Sequence, residues 1–516
     1  MNGAESLVKT LLASGVTTCF ANPGTSEMHF VAALDQHPDM RCILCLFEGG
    51  ASGAADGYFR MTGQIAATLL HLAPGFGNAF ANLHNAVKAG SGVLNIVGEH
   101  ATWHQPFETP LRGDTVGISS TISHWTRMVD AAESVARDGA EAITAARSGN
   151  GQIATLILPA DTAWETAIGP ERASPPPALR RPDMEQIEAA ATALRQSGAV
   201  LLLDGPVLWG DLRFVAARIA KATGCRLFCP CFAARIGRGQ GALPLRRLAF
   251  RIADMVRQLA DTPALVVCGT HRPAGFFAYP GMPSVPEPPG CAVLDLCGPD
   301  MDTQWTLQAL AQALGCSDLA IKPSDLQTLA LPPVPTGPIT LPKLGQAIAA
   351  LMPQDAIVVD EMISSGPAVA PEMLGARAHD WLNISGGSIG YGLPCAVGAA
   401  VACPDRKVLA LQADGSAMYT LQSLWTMARE GLDVTVVIFA NRGYQILRLE
   451  MAAVGVTDPG RNARAMFDIA GPELDWVALA KGHGVDAVRV ADMDQFAAVF
   501  SGAMQRKGPY LIEVSC

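Results

Sequence analysis

The chain has 516 residues, of which 49% are hydrophobic and only 16% charged, and it carries a formal net charge of −10. That length exceeds what one hydrophobic core supports and predicts about three domains. The acidic balance argues against nucleic acid as a main partner, because phosphate backbones call for an excess of Lys and Arg. Glycine or charge interrupts every apolar run before the roughly 20 residues of a membrane helix, so no membrane span is expected. The start, "MNGAESLVKTLL", reads as an amphipathic helix without a basic leader or cleavage site, and a cytoplasmic protein is expected. The mean hydropathy is positive, which predicts large cores and surface covered in an oligomer. The 13 cysteines do not read as a disulfide scaffold in a chain this long. Cys42 and Cys45 in "RCILCLF", and Cys225, Cys229 and Cys231 in "CRLFCPC", read as core residues rather than a redox or metal site.

In chain order, the first block offers the strands "VTTCFA", "RCILCLF", "AATLLHL", "GVLNIVG" and "IATLILP". A proline-rich stretch, "GPERASPPPALRRPD", then reads as a linker. The middle block offers "AVLLLDG", "CRLFCP", "ALVVCGT" and "CAVLDL", and ends in a second linker, "KPSDLQTLALPPVPTGPITLP". The last block offers "AIVVDE", "KVLALQAD", "VTVVIFAN" and "YLIEVS", with "LQSLWTMAREG" as a helix. Short apolar runs alternating with amphipathic stretches predict three doubly wound α/β domains with parallel sheets, over 1–168, 184–321 and 343–516. Such sheets bind ligands beyond the carboxyl ends of their strands, so the informative residues are those where the apolar runs stop.

Two stops in the last block combine. One run ends at Asp414-Gly415-Ser416 and, one helix later, another ends at Asn441-Arg442-Gly443. A right-handed crossover between neighbouring parallel strands brings both ends to one edge. Asp414, the Asn441 side chain and the Gly443 carbonyl then suit a hard cation such as Mg²⁺, which fills its octahedron with phosphate oxygens and water. Gly415 allows close approach of phosphate, and the helix start that follows favours its charge. Each tripeptide alone reads as a turn.

Here the sequence resembles the thiamine diphosphate enzymes of the acetolactate synthase and benzoylformate decarboxylase type, whose cofactor motif is Gly-Asp-Gly followed some 25 to 30 residues later by Asn. Ala413 replaces the first glycine and leaves the metal ligands in place. The resemblance runs through "ISGGSIGYGLPCAVGAAVACPDRKVLALQADGSAMYTLQSLW". It implies that Gly387 and Ile389 lie against the cofactor, with Ile389 holding it bent. It also implies Ser364, Ser365 and Ser416 near the diphosphate, and Tyr444, Gln445 and Ile446 bordering the cofactor or substrate.

In the first block, Glu48 ends a hydrophobic run and opens "EGGASGAADGY". By its position alone it is either a helix-opening residue or a functional one. "FEGGASGAADGY" resembles the family's glutamate segment, which implies that Glu48 hydrogen-bonds the aminopyrimidine ring and assists loss of the proton from the cofactor's reactive carbon. "ANPGTSEMHF" is a turn in which Thr25 and Glu27 can cap the next helix. Its likeness to the family's Asn-Pro-Gly-Ser/Thr-x-Glu turn implies that Asn22, Pro23 and Gly24 border the cofactor and that the Thr25 hydroxyl faces the reacting carbon.

His71 precedes a glycine-rich turn, "APGFGN". It can pack as a strand-end residue. The resemblance to benzoylformate decarboxylases implies instead that it protonates or orients the product carbanion, with Asn78 helping to hold the pyrimidine or a carboxylate. Those decarboxylases use a second histidine from the middle domain; this chain places Phe276 there, in "THRPAGFFAYPG", with His271 five residues away. Phe276, Ile446 and Leu447 then form an apolar substrate side.

The resemblance implies a thiamine-diphosphate- and Mg²⁺-dependent enzyme that cleaves 2-keto acids beside the carbonyl by way of an ylid and an enamine, with carboligation open. The alternative is acetolactate synthase, with pyruvate as donor and acceptor. The family also implies a homodimer or homotetramer with sites at the subunit interface. FAD, which the biosynthetic enzymes often carry, finds no supporting residue pattern. A dinucleotide site at "GRGQGALP" lacks the fingerprint spacing. A non-catalytic homologue is disfavoured by the presence of Glu48, Asp414 and Asn441.

Overall fold

In the computed structural model, which describes residues 1–516, eighteen strands form three sheets. The first sheet holds β1 (Thr18–Ala21), β2 (Arg41–Leu44), β3 (Ala66–Leu70), β4 (Val93–Glu99), β5 (Trp125–Met128) and β6 (Ile153–Pro159). Its order is β2-β1-β3-β4-β6-β5, and every pair is parallel. The middle of the chain supplies β7 (Val200–Leu203), β8 (Arg226–Cys229), β9 (Arg235–Arg238), β10 (Arg246–Arg247), β11 (Ala264–Cys268) and β12 (Ala292–Cys297). Five of these form the second sheet, β10-β8-β7-β11-β12, again parallel. The last part holds β13 (Ile357–Glu361), β14 (His379–Asn383), β15 (Val408–Ala413), β16 (Val434–Ala440), β17 (Asp486–Val490) and β18 (Tyr510–Ser515). The third sheet runs β17-β18-β16-β15-β13-β14-β9.

The fold is therefore three doubly wound α/β units. Every residue of β3, β4 and β6 is buried, as expected of aliphatic runs covered on both faces by helices. Two details differ from the sequence reading. β9 leaves the middle block and pairs antiparallel with β14, adding an edge strand to the third sheet. It does precede the glycines of "GRGQGALP", yet no helix follows them, so the dinucleotide arrangement is absent. β2, read as a buried strand, lies at an edge, and Cys42 is exposed.

The helix Glu48–Thr62 lies along the helix Gly392–Ala402 of the third unit. Both are built from small residues because they touch closely: a Cβ at Gly398 would fall 1.9 Å from the Ala54 carbonyl oxygen. At the foot of this contact, buried Arg60 forks onto Asp56 at 2.7 and 2.6 Å and donates to the Asn383 carbonyl at 2.6 Å and the Tyr391 hydroxyl at 3.0 Å. Arg235 of β9 donates to the Arg60 carbonyl at 2.9 Å and to Asp380 at 2.7 Å, and Arg406 reaches the same carboxylate at 2.6 Å. These links fix the first and third sheets relative to each other.

Candidate active site

β1, β3 and β4 are neighbours, so residues following their carboxyl ends meet at one edge. After β1 come Asn22, Pro23 and Gly24, then the short helix Thr25–Glu27. After β3 comes His71, and β4 carries Gly98 near its end. Glu27 is buried between them. Its carboxylate accepts from the Gly24 N–H at 2.6 Å and lies 2.9 Å from His71 Nδ1, with side chains 1% and 21% exposed respectively. Two close approaches permit this pair. A Cβ at Gly98 would fall 1.8 Å from Glu27 Oε1, and one at Gly24 would fall 2.0 Å from His71 Nδ1. The hydroxyl near the imidazole is that of Ser26, at 3.3 Å, while Thr25 is exposed at the mouth of the turn.

"APGFGN" proves to be helical rather than a turn: the helix Leu72–Ala89 begins immediately after His71. Pro74 is tolerated because the first helical turn has no intrahelical acceptor for its missing N–H. This helix brings Asn78 to Glu48, whose carboxylate accepts from Asn78 Nδ2 at 2.9 Å. Glu48 opens its own helix and is only 7% exposed. Glu27–His71 and Glu48–Asn78 are thus two separate pairs of a buried acid with an imidazole or amide partner, both beyond the carboxyl ends of the first sheet's strands.

The third sheet shows a second edge. β15 and β16 are parallel neighbours, and buried Asp414 follows β15. Its carboxylate accepts from the Gly415 N–H at 2.8 Å and the Arg442 N–H at 2.7 Å, which joins it to the 441–443 loop. Asn441 donates to the Ser364 hydroxyl at 3.4 Å, and its side-chain oxygen accepts from the Gly443 N–H at 3.1 Å. Ser416 accepts from Gln412 at 2.8 Å, and Ser365 is buried near Cys516. The helix expected after Asp414 is a four-residue turn that includes Asp414 itself, so a helix dipole offers little there. Tyr444 packs against Gly415, and Gln445, Ile446 and exposed Leu447 open the helix Gln445–Ala453.

Burial pushes the Asp414 carboxyl above the usual aspartate range, against the pull of the Arg442 and Gly415 N–H groups. Asp414 has no ion-pair partner in the chain, since Arg442 pairs with Glu473 instead at 2.7 Å. Three non-glycine residues with positive φ flank site residues: Leu72 (51°) follows His71, Ile363 (51°) precedes Ser364, and Arg442 (56°) follows Asn441. Such conformations cost energy and persist where surrounding structure enforces them.

The loop carrying Gly387 and Ile389 is held from two sides. Glu361 accepts from the N–H groups of Gly390 and Gly392, both at 2.7 Å, and Asn85 donates to the Ser388 carbonyl at 2.7 Å. Phe276 of the middle unit touches Gly387. Within one chain, no hydrogen bond joins the Glu48–His71 edge to the Asp414–Asn441 edge. Sequence reasoning missed the functional setting of Glu27, Ser26, Gly98 and Glu361. Only Glu27 had a local signal, as the acid of "NPGTSE".

Residues 1–126 match the family described as thiamine pyrophosphate enzyme, N-terminal TPP binding domain, and residues 371–514 match its C-terminal TPP binding domain. Together these cover just over half of the chain. The chain belongs to the thiamine pyrophosphate (thiamine diphosphate) enzyme family. It is 46% identical to a Mycobacterium tuberculosis protein whose name, acetolactate synthase large subunit IlvX, is itself provisional, covering 100% of this chain and 99% of that one. It is 29% identical to benzoylformate decarboxylase of Pseudomonas aeruginosa, covering 97% and 96% of the two chains. A solved thiamine diphosphate-dependent 4-hydroxybenzoylformate decarboxylase of Rhodococcus jostii superposes with a TM-score of 0.86 at 26% identity, covering 100% and 99%. The protein is thus a thiamine-diphosphate-dependent enzyme related to both benzoylformate decarboxylase and acetolactate synthase.

The two edges fit the family's cofactor. Asp414, the Asn441 amide oxygen and the Gly443 carbonyl are hard oxygen donors, and the buried Asp414 carboxylate has no Lys or Arg ion-pair partner. Glu48 offers a buried carboxyl of the kind that can share a proton with a ring nitrogen.

Proposed function

We propose that the protein decarboxylates a 2-keto acid with thiamine diphosphate and Mg²⁺, in a site completed between two subunits. The observation that carries this reading is the Glu27–His71 pair, an imidazole fixed by a buried carboxylate on the same sheet edge as Glu48. When bound, thiamine diphosphate supplies a carbon nucleophile and an electron sink for bond cleavage beside a carbonyl.

This chain's residues do the rest. Asp414, Asn441 and Gly443 hold the cation, and Ser364, Ser365, Gly415 and Ser416 border the diphosphate. Asn22, Pro23, Gly24, Asn78, Gly387, Ile389, Tyr444, Gln445 and Ile446 position the rings. Glu48 holds the proton that activates the pyrimidine. His71, oriented by Glu27 at 2.9 Å, delivers the proton that replaces carbon dioxide on the substrate carbon. Thr25 borders the substrate on this side, and Phe276 and Leu447 border it on the other.

Two features support a homodimer or homotetramer. The two edges are not joined by hydrogen bonds within one chain, and apolar side chains such as Trp103, Phe107 and Met466 are exposed. The proposed domains span 1–168, 184–321 and 343–516. No helix is long and apolar enough to cross a membrane. Thirteen free cysteines suit a reducing cytoplasm.

A second reading, acetolactate synthesis from pyruvate, is favoured by the full-length 46% identity to the IlvX protein. Purified protein with thiamine diphosphate and Mg²⁺, assayed with pyruvate, benzoylformate and branched 2-keto acids, decides between them. Carbon dioxide and aldehyde in equal amounts support decarboxylation. Acetolactate from pyruvate as the main product supports the second reading, and no carbon dioxide from any of them refutes both.

A further inference from the structure

Glu361, the last residue of β13, is 1% exposed, and the groups that donate to it are all neutral. One carboxylate oxygen accepts from the N–H groups of Gly390 at 2.7 Å and Tyr391 at 3.2 Å. The other accepts from the Gly392 N–H at 2.7 Å and from Gln412 Nε2 at 2.6 Å. Burial pushes this carboxyl above the usual glutamate range despite those donors. The same Gln412 nitrogen donates to the Ser416 hydroxyl at 2.8 Å. A continuous path thus runs from the loop of Ile389, through Glu361 and Gln412, to the turn that holds Asp414. Gln412 is held there for its nitrogen alone, since its Oε1 atom is buried without a partner, a cost that a plain packing residue does not carry. That oxygen lies where a Cβ at Gly392 would come within 2.1 Å, so the path requires glycine at this position.

A helix start does not need this arrangement. One Ser, Thr or Asn side chain caps it and avoids a buried charge without a counter-charge. A carboxylate adds acceptor capacity on both oxygens, whereas a glutamine amide turns N–H donors toward whatever faces its nitrogen. Resting on the function proposed above, we infer that Glu361 is a positioning residue. Through Gly390 and Gln412 it fixes the ring-supporting loop at Ile389 against the Ser416 turn that carries Asp414. A cofactor gripped at both ends stays in register only while its two supports keep their spacing. A misplacement of about 1 Å costs about a hundredfold in rate.

The test uses holoenzyme carrying Glu361→Gln, Glu361→Asp or Gln412→Met. Glu361→Gln is expected to lower kcat for carbon dioxide release about a hundredfold, with KM for the keto acid within about twofold of wild type. Glu361→Asp keeps both acceptor oxygens and should recover about a tenth of the wild-type rate. In the apoprotein, amide exchange at Gly390, Tyr391 and Gly392 should quicken about tenfold in Glu361→Gln, while the helix Glu48–Thr62 keeps its protection. Gln412→Met leaves the loop bonds in place and cuts only the link to Ser416. Its kcat should fall about tenfold, and it decides the inference if Glu361→Gln does not fold. Wild-type kcat in either folded variant, even with a lower melting temperature, overturns the inference and makes Glu361 a helix cap. If no keto acid yields carbon dioxide from the wild type, the proposed function falls. Proton exchange at the reactive carbon of bound thiamine diphosphate, followed by NMR at saturating cofactor, then decides the positioning role alone. Slower exchange in Glu361→Gln supports it, and wild-type exchange overturns it.

Discussion

Glu48 and Asp414 are both buried carboxylates beyond the carboxyl ends of parallel strands, yet their surroundings differ. On the first edge each acid has a side-chain partner from the same chain: Asn78 for Glu48 and His71 for Glu27. On the third edge Asp414 meets only backbone N–H groups, and the nearest arginine is committed to Glu473. The first edge therefore arrives with its acid–base groups already oriented, whereas the third leaves negative charge for a cation to meet. A buried carboxylate without a counter-charge costs stability unless something binds it. The difference separates a proton-handling half from an anchoring half.

The sharpest way to break the first edge is Glu48→Gln. It keeps the Asn78 contact geometry but removes the exchangeable charge, and carbon dioxide release is expected to fall by about a thousandfold with the fold intact. Proton exchange at the cofactor's reactive carbon, followed by NMR, should fall in parallel; wild-type exchange contradicts the role given to Glu48.

Next come His71 and the residue that positions it. His71→Ala is expected to lower kcat about a hundredfold, and Glu27→Gln about tenfold with KM nearly unchanged. Loss in KM alone for Glu27→Gln would return that carboxylate to a packing role.

The smallest kinetic effect is expected at Asp380, which supports the frame between the edges without reaching either. Burial pushes its carboxyl up, but Arg235 and Arg406 outweigh this and hold it below the usual aspartate range. A depressed acid stabilises the fold above its unfolded value, and that stabilisation is lost as pH falls through the folded one. Asp380→Asn should therefore cost about 3 kcal/mol near neutral pH. The gap from wild type should shrink as pH drops below the ordinary aspartate value, with kcat within twofold of wild type. Melting curves across pH check the sign.

Much of this frame was legible in the residues. Thirteen strands stood out as aliphatic runs, and Glu48, His71, Asp414 and Asn441 stood out because each follows such a run. The five unread strands are β5, β9, β10, β14 and β17. They carry charges such as Arg127, Arg235, Arg246, Asp380 and Arg489, which hide the periodicity. In the fold several of these charges are paired: Asp380 with Arg235 and Arg406, and Arg489 with Glu513 at 3.0 Å. The helix at "APGFGN" was hidden by proline and glycines that its first turns tolerate. Glu27 was unreadable as the partner of His71, because the pair depends on space left by Gly98, 71 residues further along the chain.

The central claim is that the proton-handling edge of one subunit and the anchoring edge of another form one decarboxylating site. It is tested most directly by mixing Glu48→Gln and Asp414→Ala subunits, each nearly inactive alone, after dissociation and reassembly with thiamine diphosphate and Mg²⁺. Random pairing leaves about a quarter of shared sites with both edges intact, so carbon dioxide release is predicted to recover to about a quarter of the wild-type rate. A mixture that stays at the residual rates of its parents contradicts the account.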